Sequence, residues 1–253
     1  MAEPPLQVVY QDDALVAVHK PEGLLVHRSN IDRHETRFLL QELRNQLGRH
    51  VYPVHRLDKP TSGLILFAFA PETVAQVQHQ METNAASKEY LLVCRGHCPR
   101  SGDIDHPLHR VSDFRNNRGR GLNAGEPQLA RTLFERLATV TLDVPVDKYP
   151  TSRYSLVRAR LLTGRKHQIR RHFKHISHPV IGCPKYGKST HNRYFASELA
   201  APRLLLHAHR MTLRCPITER QLCLTAPLEG TFAALLDRFR WVVPEFTSDL
   251  SPP

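Results

Sequence analysis

The apolar positions along the chain follow two periods, one typical of strands and one typical of helices. Strand patterns occur at residues 6–10, 14–20, 64–68, 87–93, 129–142, 154–162, 203–213 and 222–226. Helical apolar stripes occur at residues 38–47, 71–85, 165–176 and 230–241. Short polar turns join the first two strands and the last two, as in hairpins. We therefore expect a mixed α/β fold with a largely antiparallel central sheet flanked by helices and loops.

Two stretches show neither period. Residues 97–128 are rich in glycine and carry a basic run from His109 to Arg120. This segment has two interpretations, a floppy insertion or a mobile basic loop that clamps a nucleic acid backbone, and its sequence favours neither. The tail at 244–253 is expected to be disordered. Because no repeat or linker divides the chain, we predict a single domain over 1–253, with a core of about 6–241.

The charge balance indicates a polyanionic partner. The net charge is +11, and arginine outnumbers lysine. Arginine pairs with phosphate through two hydrogen bonds and stacks on bases, so nucleic acid is the expected partner. No apolar run approaches the roughly 18 residues of a membrane span, and the first residues do not resemble a signal peptide. We therefore expect a cytoplasmic protein without a membrane partner.

The cysteines and histidines do not predict a metal site. The five cysteines are irregularly spaced, and Cys94, His97 and Cys98 make at most half of a zinc site. No second close cysteine pair follows them, so reduced structural thiols are the better interpretation. The sixteen histidines are scattered, without HExxH spacing. We predict that the protein binds no metal.

A polar cluster precedes a turn and a buried apolar run in the stretch VHRLDKPTSGLILFAFA at residues 54–70. It places one carboxylate, Asp58, among His55, Arg56 and Lys59. Rigid scaffolds present reactive groups on such turns at strand ends. Considered alone, however, Asp58 is better explained as a turn-capping residue or as a partner in a surface salt bridge.

Two further segments are dense in side chains that could act on a ligand. SKEYLLV places Lys88 and Tyr90 at the start of a strand pattern. LLTGRKHQIRRH places Arg165, His167 and Arg170 around the start of a helical pattern. Considered alone, Tyr90 is better explained as a core aromatic. The cations of the helical segment are too dense for a plain solvated surface.

Together, the three segments resemble the RluA-type pseudouridine synthases, whose signature is an HRLD-x-x-TSG turn, a Lys-x-Tyr strand and a G-R-x-H-Q-I-R helix. The match extends from about residue 6 to residue 226. The resemblance implies the pseudouridine synthase catalytic fold, with no S4-type RNA-binding domain ahead of it. It also implies an enzyme that isomerises a uridine in structured RNA. Within this family, the chain looks most like members that act at uridine 65 of tRNA. One departure is Cys183, where relatives usually place Asp.

The resemblance implies a role for each residue of the site. Asp58 helps to cleave the N-glycosidic bond, and Arg170 keeps its carboxylate ionised in a pocket that excludes water. Tyr90 stacks on the target base, with proton transfer as a second role. Ile169 forms an apolar wall, and Arg56 fills the space left by the flipped nucleotide. The other residues implied in substrate or RNA binding are His55, Lys88, Arg165 and His167.

Several alternatives differ from this hypothesis in substrate or in class. Ribosomal RNA is the alternative target, because members of the family share the catalytic motifs. A catalytically silent RNA-binding module is the alternative from another class, and the intact Asp58, Tyr90 and Arg170 disfavour it. A metal nuclease is disfavoured because the sequence has no carboxylate cluster. The isomerisation needs no cofactor, and we expect a monomer with no protein partner.

Overall fold

The computed structural model describes residues 4–28, 34–111 and 126–251. The strands in chain order are β1 Gln7–Gln11, β2 Leu15–Lys20, β3 Tyr52–Pro53, β4 Ser62–Ala68, β5 Ser87–Arg95, β6 Ser101–Asp105, β7 Arg131–Leu142, β8 Ser152–Leu161, β9 Leu206–Arg214 and β10 Gln221–Thr225. The helices are α1 Leu39–Leu47, α2 Pro71–Glu82, α3 Gln168–His175, α4 Ser189–Glu198 and α5 Gly230–Phe239. None of the helices in the described ranges is long and apolar enough to cross a membrane.

One sheet of ten strands organises the described residues. Its main path runs β1-β2-β4-β9-β5-β8-β7-β6, with β10 paired to β9 and β3 paired to β4. The pairing of β4 with β9 is parallel, and the other pairings among these strands are antiparallel. The predicted mixed α/β fold with a largely antiparallel sheet is therefore confirmed.

The two faces of the sheet pack against different helices because side chains alternate along each strand. In β5, Tyr90 and Leu92 belong to a core cluster that includes α1 and α3 residues. Their neighbours Leu91 and Val93 belong to a cluster that includes α4 and α5 residues. Tyr90 therefore lies on the same side of the sheet as α3.

Two helices differ from the predicted pattern. Helix α3 begins at Gln168 rather than near 165, because His167 adopts a left-handed conformation with φ of 57°. The side-chain oxygen of Gln168 accepts hydrogen bonds from Thr163 Oγ1 at 2.8 Å and the Arg165 amide at 3.0 Å, which stabilises the preceding turn. Helix α4 was not predicted, because only His191 and Phe195 are buried on it. Two residues make too narrow a stripe to be recognised in a sequence.

The segment 97–128 contains a strand that the sequence did not predict. Strand β6 pairs with β7 from Ser101 to Asp105, and only Ile104 is buried on it. A polar edge strand of this kind lacks the apolar alternation on which the prediction relied. Residues 112–125 lie outside the described residues, so the two interpretations of the basic run remain predictions.

A buried charge network lies on the face of the sheet opposite Tyr90. Glu89 is 1% exposed, and its carboxylate pairs with Arg158 at 2.6 Å and with Arg210 at 3.2 Å. Arg210 also pairs with Asp249 at 2.6 Å, and Thr212 donates to the same Asp249 carboxylate at 2.9 Å. Buried charges are stable only when they are paired and hydrogen bonded, and Asp249 completes this network.

The chain from Phe246 to Leu250 packs on this network instead of forming the disordered tail that was expected from residue 244. The Ser248 carbonyl accepts a hydrogen bond from Arg158 at 2.6 Å, and the Leu250 amide donates to Glu89 at 2.8 Å. The Phe246 ring centroid lies 3.9 Å from the Arg158 guanidinium carbon. These contacts join strands that are far apart in sequence, so no local pattern in the tail could have predicted them.

We predict that Asp249→Asn destabilises the fold by about 1 kcal/mol at pH 7, because it weakens charge-assisted hydrogen bonds to Arg210 and Thr212. Burial acts to raise the pKa of Asp249, but its hydrogen bonds outweigh burial and lower the pKa from 3.8. The stabilisation is thus complete well above pH 3.8 and is lost as the pH falls through the folded-state pKa.

Urea unfolding of wild type and Asp249→Asn at a series of pH values measures this difference. The exposed Glu245→Gln variant, from the same segment, is the control and should match wild type. A difference between wild type and Asp249→Asn that is absent at neutral pH, or that grows in acid, would contradict the prediction.

Candidate active site

A pocket of about 300 Å³ opens on the α3 side of the sheet. The turn before β4, the start of β5 and the segment that leads into α3 form its walls. All of the predicted site residues line it, namely His55, Arg56, Asp58, Lys88, Tyr90, Arg165, His167, Ile169 and Arg170. Residues that the sequence analysis did not select also line it, including Leu57, Thr61, Leu161, Lys166, Gln168 and Leu206. Three segments far apart in sequence therefore meet at one cavity.

An ion pair between Asp58 and Arg170 lies in this pocket. Arg170 Nη1 donates to Asp58 Oδ2 at 2.9 Å, although the two residues are 112 positions apart. The Arg170 side chain is 6% exposed and the Asp58 side chain is 28% exposed. Burial acts to lower the pKa of Arg170, but contacts with Cys183 and Asp58 outweigh burial and raise it. The carboxylate is thus accessible to a ligand and faces a permanent cation.

Lys20 stabilises the turn that carries Asp58 through hydrogen bonds to backbone carbonyl groups. Its side chain is fully buried, and Nζ donates to the carbonyl groups of Pro21 at 2.8 Å, Leu24 at 2.8 Å and Lys59 at 3.0 Å. Burial lowers the pKa of Lys20 to about 7. Sequence analysis did not select Lys20, because a lysine at the end of a strand ordinarily faces solvent.

A close approach between two backbones fixes the other end of the same turn. Gly63 pairs with Ala208 where β4 runs parallel to β9. Its φ is +108°, and a Cβ added there would lie 2.1 Å from the Ala208 carbonyl oxygen. Only glycine fits such a position, which explains the glycine of the HRLDKPTSG stretch.

Two histidines of the pocket are neutral at pH 7. Burial lowers the pKa of His55 to about 3, and its Nε2 accepts a hydrogen bond from the Leu66 amide at 3.2 Å. Burial also lowers the pKa of His167 to about 4, despite the nearby Asp58. His167 Nε2 lies 3.7 Å from Asp58 Oδ2, and Nδ1 lies 3.1 Å from the Tyr186 hydroxyl. His55 therefore supports the turn, whereas His167 faces the carboxylate.

Tyr90 and Lys88 extend from β5 into the pocket. Tyr90 is 7% exposed, and burial, followed by the charge of Asp58, raises its pKa. The phenol is thus protonated at neutral pH and offers a donor beside a flat aromatic surface. Burial lowers the pKa of the half-buried Lys88, whose Nζ contacts the weakly accepting Met81 sulfur at 3.6 Å. A ligand oxygen would be a stronger partner for Lys88 than this sulfur.

The remaining wall combines an apolar surface with cations at the rim. Ile169 is 4% exposed and packs in the core cluster that includes Tyr90. Arg56 is exposed, and Arg165 donates from Nε to the Leu129 carbonyl at 3.0 Å. The pocket can thus take a planar base against apolar and aromatic surfaces, with cations available for an anionic backbone. The described residues include no group of three or more histidine, cysteine, aspartate or glutamate side chains suited to a metal ion.

Comparison with known proteins is decisive about the family. Residues 14–175 match the family model described as RNA pseudouridylate synthase. The chain belongs to the RNA pseudouridylate synthase family. The resemblance seen in the three motifs is therefore confirmed, and so is the expected class of RNA isomerase. The roles predicted for individual residues are not tested by this match.

Two curated relatives that are highly similar to this chain share one name. The tRNA pseudouridine synthase C of Pasteurella multocida is 44% identical over 236 residues, which cover 93% of this chain and 97% of that protein. The protein of the same name from Vibrio vulnificus is 42% identical over 236 residues, which cover 93% of this chain and 96% of that protein. These relatives match nearly the whole chain, including the segments that form the pocket.

A solved structure of the family supports the fold. Human RNA pseudouridylate synthase domain containing 4 superposes with a TM-score of 0.70 at 24% sequence identity. The superposition covers 94% of this chain and 95% of the human one. At this level of identity the likeness shows the shared fold alone.

We predict that Arg170→Ala lowers the single-turnover rate of pseudouridine formation by roughly 100-fold or more, because Asp58 loses its partner at 2.9 Å. Arg170→Lys should fall between wild type and Arg170→Ala, since lysine keeps the charge but not the planar fork of donors. Rates measured with saturating enzyme separate this effect from weaker RNA binding.

Lys174→Ala, an exposed position on the same helix, is the control and should retain the wild-type rate. Equal rates for wild type, Arg170→Lys and Arg170→Ala would show that the ion pair has no part in catalysis.

Proposed function

We propose that this protein converts uridine 65 of tRNA to pseudouridine, with Asp58 as the essential carboxylate. The observation that carries the proposal is the contact of 2.9 Å between Asp58 and Arg170 in a pocket lined by all three motifs. A silent RNA-binding module would have no need for a partly buried charge pair, whose desolvation costs several kcal/mol per ion. Unlike the buried Glu89 in its structural network, Asp58 is 28% exposed in the pocket, so its carboxylate can act on a ligand.

The reaction rearranges bonds within one nucleotide. The N1–C1′ bond breaks, the uracil turns, and a C5–C1′ bond forms, while C5 loses a proton and N1 gains one. Asp58 acts on the bond that breaks, either as a nucleophile or as an electrostatic partner. Because the substrate and the product are isomers, the net reaction requires neither an oxidant nor an energy source.

The other pocket residues would bind and orient the nucleotide. The target uridine must leave its stem to reach Asp58, which costs a few kcal/mol. Tyr90 would stack on the extruded base, Ile169 would close the apolar side, and Arg56 at the rim would occupy the vacated space. His55, Lys88, Arg165 and His167 would complete the substrate-binding wall. We assign to the Tyr90 phenol the donation of its proton to the detached uracil, and to the resulting phenolate the removal of the C5 proton, which restores the phenol.

The choice of tRNA rests on the named relatives, which match this chain over nearly its whole length. Uridine 65 is the position implied by the resemblance described in the sequence analysis. We also propose that the protein acts in the cytoplasm. We further propose that it acts as a monomer with one catalytic domain, because all three motif segments of one chain line the pocket.

Incubation with tRNA transcripts tests the proposed function. Wild type should form one pseudouridine at position 65, and a transcript with cytidine at 65 should give none. Because uridine and pseudouridine have the same mass, the product is labelled with a carbodiimide before mass spectrometry of nuclease fragments. Asp58→Asn should form no product while still binding tRNA, because its amide is neutral and cannot replace the carboxylate. Asp105→Asn, the same change at an exposed position on β6, is the matched control and should remain active.

Other outcomes would overturn separate parts of the proposal. A product at another tRNA position would contradict the assignment of uridine 65. A product in ribosomal RNA alone would contradict the choice of tRNA. Tight binding without any product would favour the silent RNA-binding module.

A further inference from the structure

The Cys183 thiol is a shared hydrogen-bond acceptor beneath the pocket. Cys183 is completely buried, and its Sγ accepts from Arg170 Nε at 3.3 Å and from the Tyr186 amide at 3.3 Å. A neutral thiol is ordinarily a weak acceptor with few partners. Two donors that converge on one buried sulfur suggest that the sulfur fixes both of them.

Both donors lead to the same carboxylate oxygen. Arg170 donates from Nη1 to Asp58 Oδ2 at 2.9 Å. The Tyr186 hydroxyl lies 3.1 Å from His167 Nδ1, and His167 Nε2 lies 3.7 Å from Asp58 Oδ2. The Tyr186 ring centroid also lies 5.4 Å from the Arg170 guanidinium carbon. Cys183 is thus the point from which two chains of contacts reach Asp58.

The position of the sulfur is itself tightly fixed by its own loop. The Cys183 carbonyl accepts from Asn192 Nδ2 at 3.0 Å and from the Gly187 amide at 2.9 Å. The Asn192 side-chain oxygen accepts from the Gly182 amide at 2.8 Å. Gly182 has φ of +76°, and a Cβ added there would lie 1.7 Å from the Arg203 carbonyl oxygen. The loop therefore has little freedom to move, and helix α4, which carries Asn192, helps to hold it.

We propose that Cys183 is a positioning residue that orients Arg170, and through Tyr186 also His167, toward Asp58. It lies beneath these residues and acts only through them. Sulfur accepts a hydrogen bond more weakly than a carboxylate does, so the Arg170 guanidinium remains available to pair with Asp58. The proposal deepens the proposed function and rests on it.

The chemistry of the acceptor yields distinct expectations for three substitutions. Cys183→Ala removes the acceptor and frees the guanidinium to rotate. Cys183→Ser keeps an acceptor of similar shape and should preserve the contact. Cys183→Asp adds a carboxylate that competes with Asp58 for Arg170. The acid limb of the pH–rate profile should therefore move to higher pH in the Ala and Asp variants but not in the Ser variant.

Single-turnover kinetics with the tRNA transcript test this proposal across a pH series. We expect Cys183→Ala to lower the rate by about 10-fold with its Kd for tRNA unchanged, and Cys183→Ser to recover to within about 3-fold of wild type. Cys215→Ala is the matched control, because Cys215 is buried and its Sγ contacts Asp12 at 3.5 Å. It should keep the wild-type rate and profile.

If Cys183→Ala has the same single-turnover rate as wild type and an acid limb at the same pH, the proposal is overturned. If Cys183→Ala does not fold, the Ser and Asp variants decide the question. Identical pH–rate profiles for those two variants would overturn the proposal equally.

If wild type forms no product on any RNA, the proposed function is rejected instead. The role of Cys183 would then be decided by crystal structures of wild type and a folded Cys183 variant, Ala or Asp. An Arg170–Asp58 contact that remains at 2.9 Å in the variant would overturn it.

Discussion

The ion pair between Asp58 and Arg170 is the contact on which the pocket depends. At about 4 Å and an effective dielectric constant near 20, two opposite charges attract by roughly 4 kcal/mol, which the desolvation of both groups largely cancels. The pair at 2.9 Å therefore adds little net stability. Its value is geometric, because it joins the turn before β4 to helix α3 and places an accessible carboxylate in the pocket.

The rest of the pocket leaves that carboxylate with few competing partners. His55 and His167, with pKa values near 3 and 4, stay neutral at physiological pH. Lys20 Nζ forms hydrogen bonds with three carbonyl groups beneath the turn and does not contact the carboxylate. Among the described residues, Arg170 is the cation seen to contact Asp58, and Arg56 at the rim is exposed to a phosphate backbone.

The sequence led to the pocket through the resemblance of its three segments to a family signature, since Asp58 and Tyr90 considered alone had simpler structural explanations. It did not identify the supports of the pocket, for a physical reason that differs from case to case. Lys20 has the position of a strand end, and its burial depends on the turns that cover it. Cys183 and Tyr186 lie in a loop without periodicity, and the contacts of Asp249 exist only after distant strands have paired. Local patterns predict elements and motifs, whereas the packing that orients a side chain is non-local.

A map of pseudouridines in total RNA is the most direct test of the central claim that this protein modifies tRNA through Asp58. Carbodiimide labelling and primer extension would compare cells that carry the gene, cells that lack it, and cells complemented with wild type or Asp58→Ala. The account predicts that uridine 65 of tRNA is the site lost without the gene, and that wild type restores it whereas Asp58→Ala does not. Restoration of that site by Asp58→Ala would contradict the account.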